Sequence, residues 1–274
     1  MTPNSGTSSR KVLCIFCNKI RPKADEHVIS QWLSEALGSA GQVTTEFITE
    51  MPGQPRTSRT QKFANLATLK LKRVCYVCNT GWMSELEDAT APILIPMING
   101  QTTILSMEEQ RQIASWAQLK CLSIDAYYRS HREGIQYLPP STAHAFCQRY
   151  QPLISSTVTL GHFIPATINE KIRFARHMSN VPPTSVYANL DVVVATFAFK
   201  QLLIQVSIGA SAAVPPRQAA HALEVAHSII RCWPTDRAEE WPPAGVVIGN
   251  QFDEIAHPSV LINQVREFPG PPEP

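Results

Sequence analysis

The sequence lacks the features that mark several large classes of protein. None of its apolar runs reaches the ~18 residues of a membrane-spanning helix, and the polar residues 1–10 contain no apolar core of a signal peptide. It contains neither a nucleotide-binding glycine loop nor a nucleophile elbow. We therefore expect a soluble, cytoplasmic protein with no membrane partner. Hydrophobic residues nevertheless make up 44% of the 274 residues, which suits a packed globular core.

The chain also has little net charge, only +2 at pH 7, so its overall charge does not indicate a nucleic-acid partner. The charge is unevenly distributed, because residues 1–74 contain eleven basic and five acidic side chains, a local excess of +6. Such an excess favours binding to a phosphate backbone. A solvated basic surface would have the same composition, and charge alone does not separate the two interpretations.

The seven cysteines are an odd number, which argues against a disulfide framework. Four of them form two C-x-x-C pairs, namely Cys14, Cys17, Cys75 and Cys78. Four thiolates match the tetrahedral preference of zinc, so we predict one structural Zn²⁺ bound by both pairs. Two separate knuckles or a redox pair are the alternatives, and the redox alternative lacks a thioredoxin-like βαβ context. We expect the single cysteines Cys121, Cys147 and Cys232 to be small buried residues.

The order of the predicted elements indicates an α+β protein with two domains. We divide the chain into a disordered N-terminus at 1–10, a zinc domain at 11–100, a mixed α/β C-terminal domain of unknown role at 101–266, and a flexible, proline-rich tail at 267–274. The boundary near residue 100 is placed there because Pro92 and Pro96 are expected to end the helix that begins near Trp82.

Local patterns predict several elements within these domains. In the first, a helix covers about Val28 to Leu37 and ends at Gly38, residues 38–61 form a loop-like insertion, and a strand covers about Phe63 to Val74. In the second, Ser106 and Glu109 form a capping box that opens a helix running to about Tyr128. Two adjacent buried strands, 190–199 and 202–208, and a helix near 216–230 follow.

Three further polar residues lie close to the cysteine pairs in the sequence. Glu26 and His27 follow the first pair, and Asn79 directly follows Cys78. Residues 11–90 thereby resemble the HNH endonuclease superfamily, whose ββα-metal motif is often embedded in a four-cysteine treble clef. The matching segments are Cys14-Ile-Phe-Cys17, Glu26-His27-Val28-Ile29, Asn65-Leu66 and Cys75-Tyr-Val-Cys78-Asn79. The stretch from Cys78 to Glu87 is also similar to a bacterial subgroup of HNH-like proteins.

The resemblance implies a ββα-metal, treble-clef zinc module that hydrolyses phosphodiester bonds in DNA, with RNA as the other nucleic acid it could cut. His27 would be the general base, Glu26 and Asn79 would hold a catalytic Mg²⁺ or Mn²⁺, and Asn65 would brace the histidine loop. Glu85 or Glu87 could instead complete the shell of the ion, although exposed helix carboxylates are the favoured interpretation of both. The oligomeric state is open.

Two other interpretations of the zinc module remain. It could be a non-catalytic zinc finger that binds nucleic acid or a protein partner, or a purely structural element that stabilises the larger domain. Trp32, Trp82 and Trp116 could stack on nucleic-acid bases, but each lies in an apolar helical pattern, so core packing is favoured.

Overall fold

The computed structural model describes residues 10–38, 43–49, 57–63, 69–131, 138–166, 172–180, 191–209, 229–249 and 252. Sheets and helices are mixed along the chain, which is an α/β architecture in the broad sense. None of the helices in these ranges is both long and apolar enough to cross a membrane.

A small antiparallel sheet forms the base of the N-terminal part. Its strands, in spatial order, are β1 (Lys11–Leu13), β2 (Ile20–His27) and β5 (Lys70–Cys75). Because side chains alternate between the faces of a strand, Ala24 and Glu26 of β2 are buried while Asp25 points outward. Strand β2 pairs with β5 from Lys23 opposite Cys75 to His27 opposite Lys70, with a β-bulge between these ends.

The segment between the cysteine pairs contains more regular structure than we expected. Helix α1 (Gln31–Ala36) is shorter than predicted, and Gly38, with φ +69°, follows its end. Residues 38–61 are not a loop throughout, because β3 (Val43–Thr49) and β4 (Thr57–Phe63) pair as an antiparallel hairpin. The composition was misleading because threonine, which is abundant here, is β-branched and favours strands as well as loops. Strand β3 also lies alongside β8 (Ile172–Asn180).

A long helical region follows the second cysteine pair. It begins with α2 (Tyr76–Cys78), continues through a π-helical turn (Asn79–Met83) and then forms α3 (Ser84–Ile98). The prediction that Pro92 and Pro96 end this helix is wrong, since both lie inside α3. Each proline removes one backbone hydrogen bond, but the helix also buries a face whose packing compensates. That face consists of Thr90, Leu94, Met97 and Ile98.

Helix α4 (Met107–His131) is the central helix of the fold. The predicted capping box is confirmed, because the Ser106 amide donates to Oε2 of Glu109 at 2.8 Å and the Glu109 amide donates to Oγ of Ser106 at 3.2 Å. Every residue from 113 to 126 is buried, so the helix is covered on all sides. A helix surrounded in this way must find internal partners for each polar side chain it carries.

The C-terminal part is built on a six-stranded sheet. Five strands follow the order β11-β7-β10-β9-β8, and β13 pairs in parallel with β7. The elements of this part are β6 (Thr103–Leu105), α5 (Pro140–Arg149), β7 (Ser156–Ile164), β8, β9 (Asp191–Phe199), β10 (Leu202–Gly209), β11 (Ile229–Trp233), β12 (Glu239–Trp241) and β13 (Val246–Ile248).

The predicted strand pair is confirmed, because β9 and β10 pair antiparallel from Leu202 opposite Phe199. The predicted helix near 216–230 falls largely on residues 210–228, which lie outside the described residues. Its last two positions, Ile229 and Ile230, belong to strand β11, so that end of the prediction is wrong.

One cluster of buried hydrophobic residues connects the two parts of the chain. It runs from Phe16 between the first two cysteines through Leu94 in α3 and Trp116 in α4 to Phe197 in β9. The core therefore continues across residue 100, where we placed the boundary between two domains. This continuity brings side chains of α4 against the N-terminal module.

Candidate functional site

The four paired cysteines come together at one point. The sulfur atoms of Cys14, Cys17, Cys75 and Cys78 all lie within 4.8 Å of one another. In a zinc tetrahedron with bonds of about 2.3 Å, neighbouring sulfurs are roughly 3.8 Å apart. Sγ of Cys17 and Sγ of Cys75 are 3.8 Å apart, which fits that geometry. The cluster can therefore hold a structural metal such as zinc, and both C-x-x-C pairs would contribute to a single ion.

The surroundings of the cluster also fit a metal. The neighbouring Cys78 thiol and burial raise the pKa of Cys14 to about 12, so without a metal this sulfur is a neutral thiol at neutral pH. A zinc ion replaces such protons and keeps the sulfurs as thiolates. Helix α5 braces the cluster, since Nδ1–H of His144 donates to the Phe16 carbonyl at 2.9 Å and Cys147 contacts Cys78. Sequence reasoning assigned no role to His144.

All three single cysteines are buried, as predicted. Cys121 is 1% exposed, Cys147 7% and Cys232 0%.

An open cleft of about 460 Å³ brings the predicted acid, histidine and asparagine together. His27 is the last residue of β2, and Asn79 is the first residue of the π-helical turn, directly after Cys78 of the cysteine cluster. Glu26, His27 and Asn79 all line this cleft. Pairing of β2 with β5 fixes the positions of Glu26 and His27, and the cysteine cluster fixes the position of Asn79. Asn65, the predicted middle asparagine, lies outside the described residues.

The cleft is acidic. Its lining includes the carboxylates of Glu26, Glu35, Glu87 and Asp88. Behind the wall, the buried ammonium of Lys120 contacts the carboxylates of both Glu26 and Glu87. Four carboxylates against one ammonium leave a formal charge of −3 around the cleft. Carboxylate oxygens are the ligands that hard divalent cations prefer in proteins.

Glu87 is the most heavily bonded of these carboxylates. Its Oε2 accepts hydrogen bonds from Oγ of Ser30 at 2.5 Å, Nε1 of Trp32 at 2.6 Å and Nε1 of Trp116 at 2.9 Å. Its Oε1 forms an ion pair with Nζ of Lys120. Burial alone would raise the pKa of Glu87, but Lys120 and the hydrogen-bond donors outweigh burial and lower it. The prediction of an exposed helix carboxylate is therefore wrong for Glu87, although Glu85 is exposed.

Glu26 has a different environment from Glu87. Only 8% of the residue is exposed, and its nearest cation among the described residues is Lys120, whose Nζ lies 3.8 Å from Oε1. Burial raises the pKa of Glu26, and Lys120 offsets this effect only in part. With Lys120 as its partner at 3.8 Å, Glu26 has more acceptor capacity left than Glu87.

His27 is half-buried, and its electrostatic environment favours the neutral imidazole. Burial lowers the pKa of His27, and the positive charges of Lys70 and Lys120 lower it further. A neutral imidazole has a free lone pair that can accept a proton from water.

The outer face of the small sheet is basic and ends at His27. Strand alternation places Lys23, Asp25 and His27 on this face of β2, and Lys70 of β5 lies opposite His27. Lys23 forms an ion pair with Asp25 at 2.9 Å and lowers the pKa of Asp25, and the nearby charges of Lys70 and Lys72 lower it further.

The tryptophans serve the core, as favoured from the sequence. Trp116 is buried, and Trp32 and Trp82 are partly buried against the same core. Trp82 packs between Phe16 and Phe146, with ring centroids 5.5 and 5.8 Å away. The sequence did not reveal that Trp32 and Trp116 also donate hydrogen bonds to one carboxylate.

No protein-family model matches this chain, and searches of curated proteins and of solved structures return no match. The HNH resemblance thus rests on the residues of this chain alone. The cysteine cluster supports a metal module in the coarser sense.

Proposed function

We propose that this chain is a metal-dependent endonuclease of the HNH type that hydrolyses phosphodiester bonds in DNA. The observation that carries the proposal is the cleft that joins Glu26 and His27 of β2 with Asn79, which is 52 positions after His27 in the sequence. These are the acid, base and amide that phosphodiester hydrolysis needs in one place.

Each residue has a chemical role in this proposal. His27 accepts a proton from the attacking water, for which its neutral imidazole is suited. Glu26 and Asn79 offer oxygen ligands to Mg²⁺ or Mn²⁺, which when bound would stabilise negative charge on the phosphate. The four cysteines hold a separate zinc ion in a treble-clef arrangement, and that ion fixes the start of the helical region at Asn79.

The two opposite electrostatic environments of the site support this proposal. The cleft carries carboxylates for a cation, while the outer face of the β2–β5 pair carries lysines for phosphates. His27 belongs to both, since it lines the cleft and ends the basic face. A substrate held by the basic face would present its phosphate to the base and the cation together.

The test is cleavage of supercoiled plasmid by zinc-loaded protein with Mg²⁺, Mn²⁺ or EDTA. We expect nicking that requires the divalent ion and falls by at least about 100-fold in His27→Ala, because general-base catalysis contributes that much or more. Gln31→Ala is the matched control, since this exposed side chain lines the same cleft but offers no base. Equal nicking by His27→Ala and the control would refute the assignment of His27.

A non-catalytic zinc module that binds nucleic acid is the second candidate. The basic outer face favours it, because phosphate binding by Lys70 and Lys72 requires no catalysis. Binding of labelled DNA measured by fluorescence anisotropy, without any nicking in Mg²⁺ or Mn²⁺, would select this candidate. Absence of both binding and nicking would leave a structural role for the module.

A further inference from the structure

Lys120 is a buried lysine that has no role in the mechanism proposed above. It lies in helix α4, only 1% of it is exposed, and its Nζ contacts carboxylates from two other elements. Lysine is almost never fully buried without such partners. Its ammonium lies behind the wall of the cleft, on the side of Glu26 and Glu87 away from solvent. It therefore acts on the cleft through these carboxylates and does not reach a substrate.

The two carboxylates depend on Lys120 to different degrees. Glu87 has three further donors, namely the Ser30 hydroxyl and the indole N–H groups of Trp32 and Trp116. Glu26 has Lys120 as its nearest cation among the described residues. Because four groups already engage the Glu87 carboxylate, its main role is to anchor Lys120. Of the two carboxylates that contact Lys120, Glu26 is the one with fewer other partners among the described residues.

We propose that Lys120 is a positioning residue for the divalent ion, holding the Glu26 carboxylate at the cleft wall from helix α4. The inference rests on the proposed function, and it adds that the ion site is completed from outside residues 11–100. Without the ammonium, Glu26 would lose the ion pair that holds it at the cleft wall, and because it has fewer other partners than Glu87, it is the carboxylate that would move.

Binding of Mn²⁺ to the zinc-loaded, full-length protein, followed by electron paramagnetic resonance, tests this role without any cleavage. We expect Lys120→Met to weaken Mn²⁺ binding by at least about tenfold, as loss of a residue that orients a metal ligand does. Lys120→Arg, which keeps the charge, should restore part of the affinity. Glu26→Gln is the reference for loss of the ligand itself.

Ile113→Ala is the matched control for damage to helix α4. Ile113 is fully buried on the same helix, about two turns or roughly 10 Å before Lys120. We expect this variant to lower the free energy of unfolding while the folded protein keeps its affinity for Mn²⁺. A change in Mn²⁺ affinity equal to that of Lys120→Met would show that any loosening of α4 has this effect, and would overturn the proposal.

A double variant covers the case in which Lys120→Met does not fold. Lys120→Met combined with Glu87→Gln removes the buried ion pair as a unit, which costs much less stability than removing one partner. If Lys120 positions Glu26, the double variant folds but still binds Mn²⁺ at least about tenfold more weakly than the unmodified protein. If Lys120 only balances the charge of Glu87, the double variant recovers full affinity, and the proposal is overturned.

The same experiment separates this inference from the proposed function. Tight Mn²⁺ binding that is lost in Glu26→Gln but unchanged in both Lys120 variants would overturn the inference alone. Mn²⁺ binding that is absent from the unmodified protein, or unaffected by Glu26→Gln, would overturn the proposed ion site and this inference with it.

Discussion

The indole N–H of Trp32 donates a 2.6 Å hydrogen bond to Oε2 of Glu87, which joins helix α1 to helix α3. The same oxygen accepts from Trp116 of α4, so one carboxylate ties three helices together. A buried carboxylate with this many donors is costly to leave partly bonded. This contact therefore has a measurable energetic role.

Trp32→Phe should lower the free energy of unfolding by about 1–3 kcal/mol, because the ring is kept while a donor to a buried carboxylate is lost. Urea unfolding gives this value, and a double-mutant cycle with Glu87→Gln isolates the pair. A coupling energy near zero would show that the hydrogen bond adds nothing to stability.

The cysteine cluster should bind one zinc ion per chain, measured by inductively coupled plasma mass spectrometry. Cys75→Ser should lose the metal and much of the N-terminal fold, because metal binding contributes to folding in such sites. Cys121→Ser is the control, since Cys121 is equally buried but stands in α4 outside the cluster. Equal metal content in the two variants would exclude the four-sulfur site.

Replacing Pro92 tests how much a proline inside helix α3 costs in stability. It is exposed in the middle of the helix, and its ring removes a hydrogen bond to the carbonyl of residue 88. Pro92→Ala should raise the free energy of unfolding by about 1–3 kcal/mol, since alanine restores the missing donor. The midpoint of urea denaturation measures the change. A lower midpoint would mean that the rigidity which proline gives the unfolded chain dominates.

Lys72 should contribute to DNA affinity through phosphate contact. Lys72→Ala is expected to reduce the slope of log affinity against log salt concentration by about one, irrespective of DNA sequence. Anisotropy titrations at several salt concentrations measure the slope. Lys200→Ala serves as the comparison, because that side chain caps helix α1 through the Ala36 carbonyl. An equal slope for Lys72→Ala and the unmodified protein would remove Lys72 from the interface.

Features with a short, strict pattern were predictable from the sequence. The C-x-x-C spacing identified the cysteines that cluster, and the Ser106–Glu109 spacing identified the start of α4. The adjacent strands β9 and β10 followed from their continuous apolar runs. In each case the pattern is local, either a spacing of three positions or a single apolar run.

Features that depend on distant partners were not predictable. Nothing near Lys120 in the sequence shows that Glu26 and Glu87, from a strand and another helix, will surround it. Trp116 and Lys120 are four positions apart and share one face of α4, which was the available local signal. The proline prediction failed for the same reason, because burial of one face of α3 is decided by the rest of the fold.

The donors of Glu87 are also divided by the order in which the chain is synthesised. Ser30 and Trp32 leave the ribosome before Glu87, whereas Trp116 and Lys120 follow it by about thirty residues. A nascent chain that has emerged only through helix α3 can satisfy one oxygen of this carboxylate and leaves the other without its ion pair. At translation rates of about 5–20 residues per second, this interval lasts a few seconds. During that time the segment up to α3 lacks two of the four groups that contact Glu87, which are both supplied by α4.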